Sequence, residues 1–247
     1  MRQHPIIFSG DMVRAILDGR KTQTRRVFRD PRGHEPAHPM SIHQMLACYP
    51  TADGKGFIFW DHDYPGTAEF TKKAYKNGGF RCPYGQPGDR LWCREKWGTS
   101  PNLDHVKPCD LPPGAPVYYA ADDICDSGGW RVEHWRASIH MPRGCSRIML
   151  EVARVRVQRV QDITEEDATA EGMCYAAGGC CEWCNGAGHN HTWPSGCPHC
   201  GGTGHSHLIH FQALWDRINL RRGCGWDASP WVWVIDFQPL PVAVRDA

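Results

Sequence analysis

No apolar run in these 247 residues approaches the ~20 needed to cross a bilayer. The opening stretch "MRQHPIIFSG" is too short in apolar residues for a secretion signal. The reading is therefore of a cytoplasmic protein with no membrane partner. The chain also lacks an excess of either charge: 28 Lys and Arg stand against 27 Asp and Glu, a formal net charge of +1. A general polyanion binder is more lopsided, so any nucleic-acid contact has to come from a local patch. There is no G-x-S-x-G, no P-loop, no Rossmann glycine fingerprint and no H-E-x-x-H pair, which argues against the hydrolase, nucleotide and metalloprotease chemistries those patterns serve. No internal repeat appears beyond two similar cysteine knuckles.

What the chain does have is length for one large domain, or one domain with a sizeable insertion. Its 26 glycines and 19 prolines call for many loops. It also has 13 cysteines. In a secreted chain these would suggest disulfides. Without a secretion signal, and with two Cys-x-x-Cys pairs, metal binding is the better reading. "CEWCNGAG" and "CPHCGGTG" are two versions of one tight turn whose backbone amides can point at thiolates. Cys181, Cys184, Cys197 and Cys200 make a closed, four-thiolate zinc set; a redox dithiol is the weaker reading, since two redox pairs side by side are unusual. Four thiolates leave no open position for water, so the expected zinc is structural and serves to fold a loop with little core of its own. Cys180 is a bystander. His189, His191, His199, His205 and His207 lie nearby in sequence, either as substitute ligands or as loop residues.

The remaining elements follow from periodicity. Residues 9–19 read as a short helix with Ser9 at its N-cap, Met12, Val13, Ile16 and Leu17 on one face, and Gly19 as the stop. Thr22 to Val27 reads as extended, so Lys21 falls at a helix-to-strand turn. Residues 28–80 and 98–145 read as insertions; "GFIFW" and "VYYA" are their clear strands. A turn at Pro87, Gly88 and Asp89 leads into a strand. Residues 146–160 form a long strand whose alternation slips near Ala153 or Arg154, where a bulge is expected. Thr164 with Asp167 three residues on resembles a capping box with a shorter acid, so a helix starts there and ends near Gly172. Leu208, Phe211, Leu214, Trp215 and Ile218 have helical spacing. "WVWVIDF" is almost wholly apolar and is predicted to lie inside a sheet. Most of the 11 tryptophans are expected in the core or at its rim, although aromatics beside arginines also suit base stacking.

The segment "GRKTQTRR" raises the chemical question. Lys21 and Thr24 would face opposite ways in a regular strand, but at a turn they can converge. A threonine hydroxyl is inert near neutral pH unless a base is within hydrogen-bond reach. A lysine that is partly desolvated and set among Arg20, Arg25 and Arg26 can act as that base. By themselves, a strand threonine and a run of arginines more often mean strand packing and a solvated or phosphate-binding surface.

Gly19, Lys21 and Arg26 fit G-x-K-x-x-E-x-R, the pattern of the ASCH domain in the PUA-like superfamily. The chain departs from it at Thr24, where the general pattern has Glu. It resembles the bacterial subgroup carrying "GRKT-x-T-x-R". The resemblance continues at "DITEEDATAEGM", the last helix and the "WVWVIDF" strand, together roughly a minimal domain of ~100 residues. At "SIHMPR" the chain is similar to larger ASCH proteins of phages and prophages. The resemblance implies an α+β fold: a PUA-like small mixed β-barrel with short flanking helices and the zinc knuckle, about 174–205, inserted in one ASCH domain.

The resemblance also implies an amidohydrolase that removes acyl groups from N4-acylated cytosine nucleosides, such as N4-acetylcytidine to cytidine. Lys21, Thr24 and Glu171 would be catalytic, and Arg20, Arg25 and Arg26 would bind substrate. In one order of events Thr24 is the nucleophile and Lys21 its base, with Glu171 orienting Lys21 or passing a proton to the leaving amine. In another, Glu171 activates water while Lys21 stabilises the oxyanion. The alternatives from other classes are a non-catalytic reader of RNA or of a modified base, and a ribonuclease. The expected partner is a small nucleoside, with RNA the partner in the reader and ribonuclease readings. The cofactor set is structural zinc and no organic group.

Overall fold

The computed structural model describes residues 1–28, 81–122, 132–173 and 207–241 in full, and the backbone of 47–50 and 57–60. In chain order the elements are β1 (Gln3–Ile7), α1 (Gly10–Leu17), β2 (Gln23–Val27), β3 (Ala47–Pro50), β4 (Phe57–Trp60), β5 (Arg90–Arg94), β6 (Trp97–Thr99), β7 (Val117–Tyr119), β8 (Met149–Arg159), α2 (Glu165–Ala170), α3 (His207–Asn219) and β9 (Trp231–Pro239). No helix among the described residues is long and apolar enough to cross a membrane. Cys181, Cys184, Cys197 and Cys200, the expected zinc ligands, lie outside the described residues.

The fold is α+β, with a sheet-rich core and few helices. Five strands form a mixed sheet in the order β1-β5-β8-β9-β2. Its ends are β1 and β2, and no closed barrel is formed among the described residues. The apolar "WVWVIDF" strand, β9, is interior, as its composition requires: a strand covered on both faces cannot alternate with polar residues. Trp231 to Ile235 are all buried. The expected "GFIFW" strand pairs antiparallel with β3, Ala47 opposite Trp60. β3 had no clear signal, because "ACYP" carries little alternation.

The chain divides into two compact units interleaved in sequence: Met1–Thr22, Pro83–Arg154 and Asp236–Ala247 form one, and Gln23–Cys82 with Val155–Ile235 the other. In the first, β1 runs parallel to β5, Gln3 opposite Arg90 and Ile7 opposite Arg94, and β5 is antiparallel to β8, Trp92 opposite Met149. α1 begins after Ser9, which has the extended backbone of an N-cap but makes no side-chain cap bond. Val13, Ala15 and Ile16 are buried, whereas Leu17, expected on the same face, is exposed. The turn before β5 is tied by the Asp89 carboxylate, which accepts the Arg2 amide at 2.7 Å and the Gln86 amide at 3.1 Å. Trp97, Met141 and Cys145 form a buried cluster, packed by Leu111, Val117 and Tyr119. Trp97 belongs to β6, which pairs with the expected "VYYA" strand.

In the second unit, Thr164 caps α2 by accepting the Asp167 amide at 3.2 Å. The expected pairing of Thr164 with Asp167 is present, the Thr164 backbone amide helping to hold the Asp167 carboxylate low, and that carboxylate also meets arginines and a glutamine. Glu165 Oε2 accepts the His207 and Leu208 amides at 2.9 and 3.3 Å, closing the start of α3 with a carboxylate where the helix dipole favours one. Phe211 and Trp215 of α3 are buried; Ile218, expected on that face, is exposed because Asn219 takes the inward position. β8 is one continuous strand. Its burial slips where expected: Leu150 and Val152 are buried, then Ala153 and Arg154 are both exposed. The slip coincides with the passage of the strand from the first unit to the second.

Candidate functional site

α1 is stopped by Asp18 at its C-cap and by Gly19 in the left-handed region, φ 72°. This turn suits glycine, since a Cβ would strain that φ. The Gly19 amide donates to the Ile16 carbonyl at 3.0 Å, and the Arg20 and Lys21 amides to the Ala15 carbonyl at 2.9 Å. The tight reversal puts Arg20 outside, where its guanidinium pairs with Asp18 at 2.7 Å, and turns Lys21 inward. Lys21 is 1% exposed. Its Nζ lies 5.7 Å from the centre of the Phe8 ring, within range of a cation–π contact.

β2 is buried at its first three positions. Gln23, Thr24 and Arg25 are 5%, 4% and 5% exposed. Hydroxyl, amide and guanidinium groups are costly to remove from water without partners, and for Gln23 and Arg25 the partners are on α2. Arg25 Nη2 donates to Asp167 Oδ2 at 2.8 Å and Nη1 to Glu171 Oε1 at 3.2 Å; Nη1 also meets Gln23 Oε1. Gln23 Nε2 and Arg156 Nη2 donate to Asp167 Oδ1 at 3.1 and 3.0 Å. The Phe211 ring lies 5.8 Å from the Arg25 guanidinium carbon. Burial pushes the Asp167 carboxyl up, but the Arg25 charge, the Gln23 hydrogen bond and the Arg156 charge outweigh it and hold the group below the ordinary aspartate range.

Glu171 is the C-cap of α2, with φ −70° and ψ −3°, and its amide donates to the Asp167 carbonyl at 2.9 Å. Gly172 follows at φ 82° and ends the helix. The cap fixes the Glu171 backbone, and burial to 5% exposure removes its carboxylate from bulk water. Of the three expected substrate-binding arginines, Arg20 is at the surface, Arg26 is half-buried near the end of β2, and Arg25 is buried with both terminal nitrogens on the Asp167 and Glu171 carboxylates.

Sequence reading missed Gln23 and Arg156 as partners and gave Asp167 only a capping role. The available signal was a pair of acids one helical turn apart, Asp167 and Glu171, with arginines on β2 and β8. It also missed a pair in the first unit. Glu95, 1% exposed, accepts two bonds from Arg147, at 2.9 and 3.0 Å. Burial raises the Glu95 carboxyl despite those bonds. At Arg147 burial works against the charge, yet Glu95 together with Asp122 outweighs it. Arg147 also lies 4.0 Å above the Tyr119 ring. Asp104, Glu133 and His134 bring three ligand atoms within 4.8 Å of one another, a set able to hold a cation, although exposed acids often gather without one.

A buried amine, a buried hydroxyl and a buried, arginine-held carboxylate therefore sit at the three positions where the motif resemblance implies catalysis. No protein-family model, curated protein or solved structure matches this chain.

Proposed function

We propose that this protein is an amidohydrolase acting on N4-acylated cytosine nucleosides, with Thr24, Lys21 and Glu171 as its catalytic residues. The observation that carries the reading is the burial of Lys21, Thr24 and Glu171 to 5% exposure or less. Polar side chains on a merely structural turn and helix end usually stay in water. Desolvation is what a lysine needs to serve as a base at neutral pH. The finer fold reading, a PUA-like ASCH domain, belongs to the same proposal and is supported by the mixed sheet and by the motif.

In the preferred order of events, Thr24 Oγ attacks the acyl carbonyl as neutral Lys21 takes the hydroxyl proton. The C–N4 bond then breaks, and the proton passes to N4 so that cytidine leaves as a neutral amine. Water adds to the threonyl ester, giving up a proton to Lys21, and the acid departs with Thr24 restored. Glu171 carries or steers the proton between Lys21 and N4. Structural zinc on Cys181, Cys184, Cys197 and Cys200 is part of the proposal. The four-thiolate donor set suits a closed tetrahedral site and leaves the amide chemistry to protein side chains.

The test is absorbance of the purified chain mixed with N4-acetylcytidine. Wild type is expected to yield cytidine, and folded Thr24→Ala and Lys21→Ala variants to lose at least about 100-fold in kcat, the order associated with losing a positioned proton-transfer group. Absence of conversion by the folded, zinc-loaded wild type would sink the reading. RNA binding against salt would then test the reader alternative.

A further inference from the structure

Arg25 lies outside the residues that the proposed chemistry uses, yet it is the most completely buried arginine of the site, with a side chain 0% exposed. Its guanidinium spans two carboxylates one turn apart, Asp167 in α2 and Glu171 at its C-cap. Nη2 is on Asp167 at 2.8 Å and Nη1 on Glu171 at 3.2 Å. The planar fork of arginine suits such a bridge, and a lysine ammonium cannot reproduce it. The far end is anchored in turn: Asp167 is also held by Gln23 at 3.1 Å and Arg156 at 3.0 Å, and the Phe211 ring lies beneath the guanidinium. These residues all belong to the second unit. An arginine placed to bind substrate directly would not be built this way. It would be exposed, with carboxylates kept away.

We propose that Arg25 is a positioning residue: it holds the Glu171 carboxylate in one rotamer against the Asp167 anchor, so that the proton carrier stays aligned. This replaces the expectation that Arg25 binds substrate. The inference rests on the amidohydrolase reading for its kinetic consequence, but the side-chain ordering it claims can be measured without turnover.

The experiment uses the full chain in four forms: wild type, Arg25→Lys, Arg25→Ala and Asp167→Asn. Each is checked for folding by circular dichroism and assayed with N4-acetylcytidine. Glutamate labelled with 13C at its side-chain carboxyl provides a parallel NMR signal for Glu171, assigned with Glu171→Gln. Arg25→Ala is expected to lose about 100-fold in kcat, the scale of an ångström-sized misplacement, with little change in KM. Asp167→Asn is expected to lose about tenfold, as supporting-residue changes do. Arg25→Lys should recover part of the loss. The Glu171 signal should be sharp in wild type and broadened or split in Arg25→Ala.

A folded Arg25→Ala enzyme with unchanged kcat, or with a loss confined to KM, overturns the proposal and returns Arg25 to substrate binding. If Arg25→Ala does not fold, Arg25→Lys and Asp167→Asn decide by the same two readouts. If wild type is inactive, the functional reading fails by itself. The Glu171 signal then decides alone: broadening in the Arg25 variants upholds the positioning role, and an unchanged line overturns it.

Discussion

Asp167 illustrates how one residue takes its role from its neighbours. In sequence it is a helix-capping acid; in the fold it gathers Arg25, Gln23 and Arg156 around one carboxylate. Because its folded pKa lies below the ordinary 3.8, the group contributes stability that is present above its unfolded pKa and is lost as pH falls through the folded value. The expected outcome is that Asp167→Asn unfolds at lower urea than wild type at neutral pH, and that the gap closes as pH drops below 3.8. Urea midpoints across pH 2 to 7, about the span over which a carboxylate titrates in the two states, check this. A gap independent of pH would show that Asp167 is held by shape and not by charge.

At the scale of elements, the short helix α2 and its C-cap carry both acids of the network, Asp167 within its six residues and Glu171 just after them, so its ends matter. A helix this short is not stable by propensity. Thr164 holds its start through the Asp167 amide, and Gly172 ends it in the left-handed region. Thr164→Ala is expected to cost about 1 kcal/mol of folding stability, and Thr164→Ser to recover most of it. Equal urea midpoints for the alanine variant and wild type would mean the cap is redundant with the ion pairs. The helices and the strands with clear periodicity were legible in sequence: α1, α2, α3, β4, β5, β7, β8 and β9. β3 and β6 were not. β3 lacks alternation, and β6 is three residues that become a strand by pairing with β7 across a long loop.

At the scale of the molecule, the division into two units follows interleaved segments, with β8 and β9 each passing from one to the other. No contiguous stretch of sequence corresponds to either unit, and for that reason composition shifts along the chain could not reveal them. The zinc expectation also belongs to this scale, because metal affinity and folding of a cysteine-rich segment are one equilibrium. Metal analysis of the purified chain is expected to find one zinc per molecule. Changing Cys181 and Cys197 together to serine should remove it and lower the thermal midpoint. A metal-free chain with an unchanged midpoint would refute the structural role.

The sequence alone determined the local grammar: where α1 stops, that Lys21 lies on a helix-to-strand turn, and that "WVWVIDF" runs inside a sheet. These depend on spacing, turn residues and apolar periodicity, which are properties of neighbours along the chain. Only the tertiary structure decided which of the clustered arginines are available. Arg20, Arg25 and Arg26 are alike in sequence, yet one pairs at the surface, one is half-buried, and one is buried with its terminal nitrogens on carboxylates about 140 positions away. Charge pairing in a buried setting depends on what the fold brings within about 3 Å, and no local pattern records that distance.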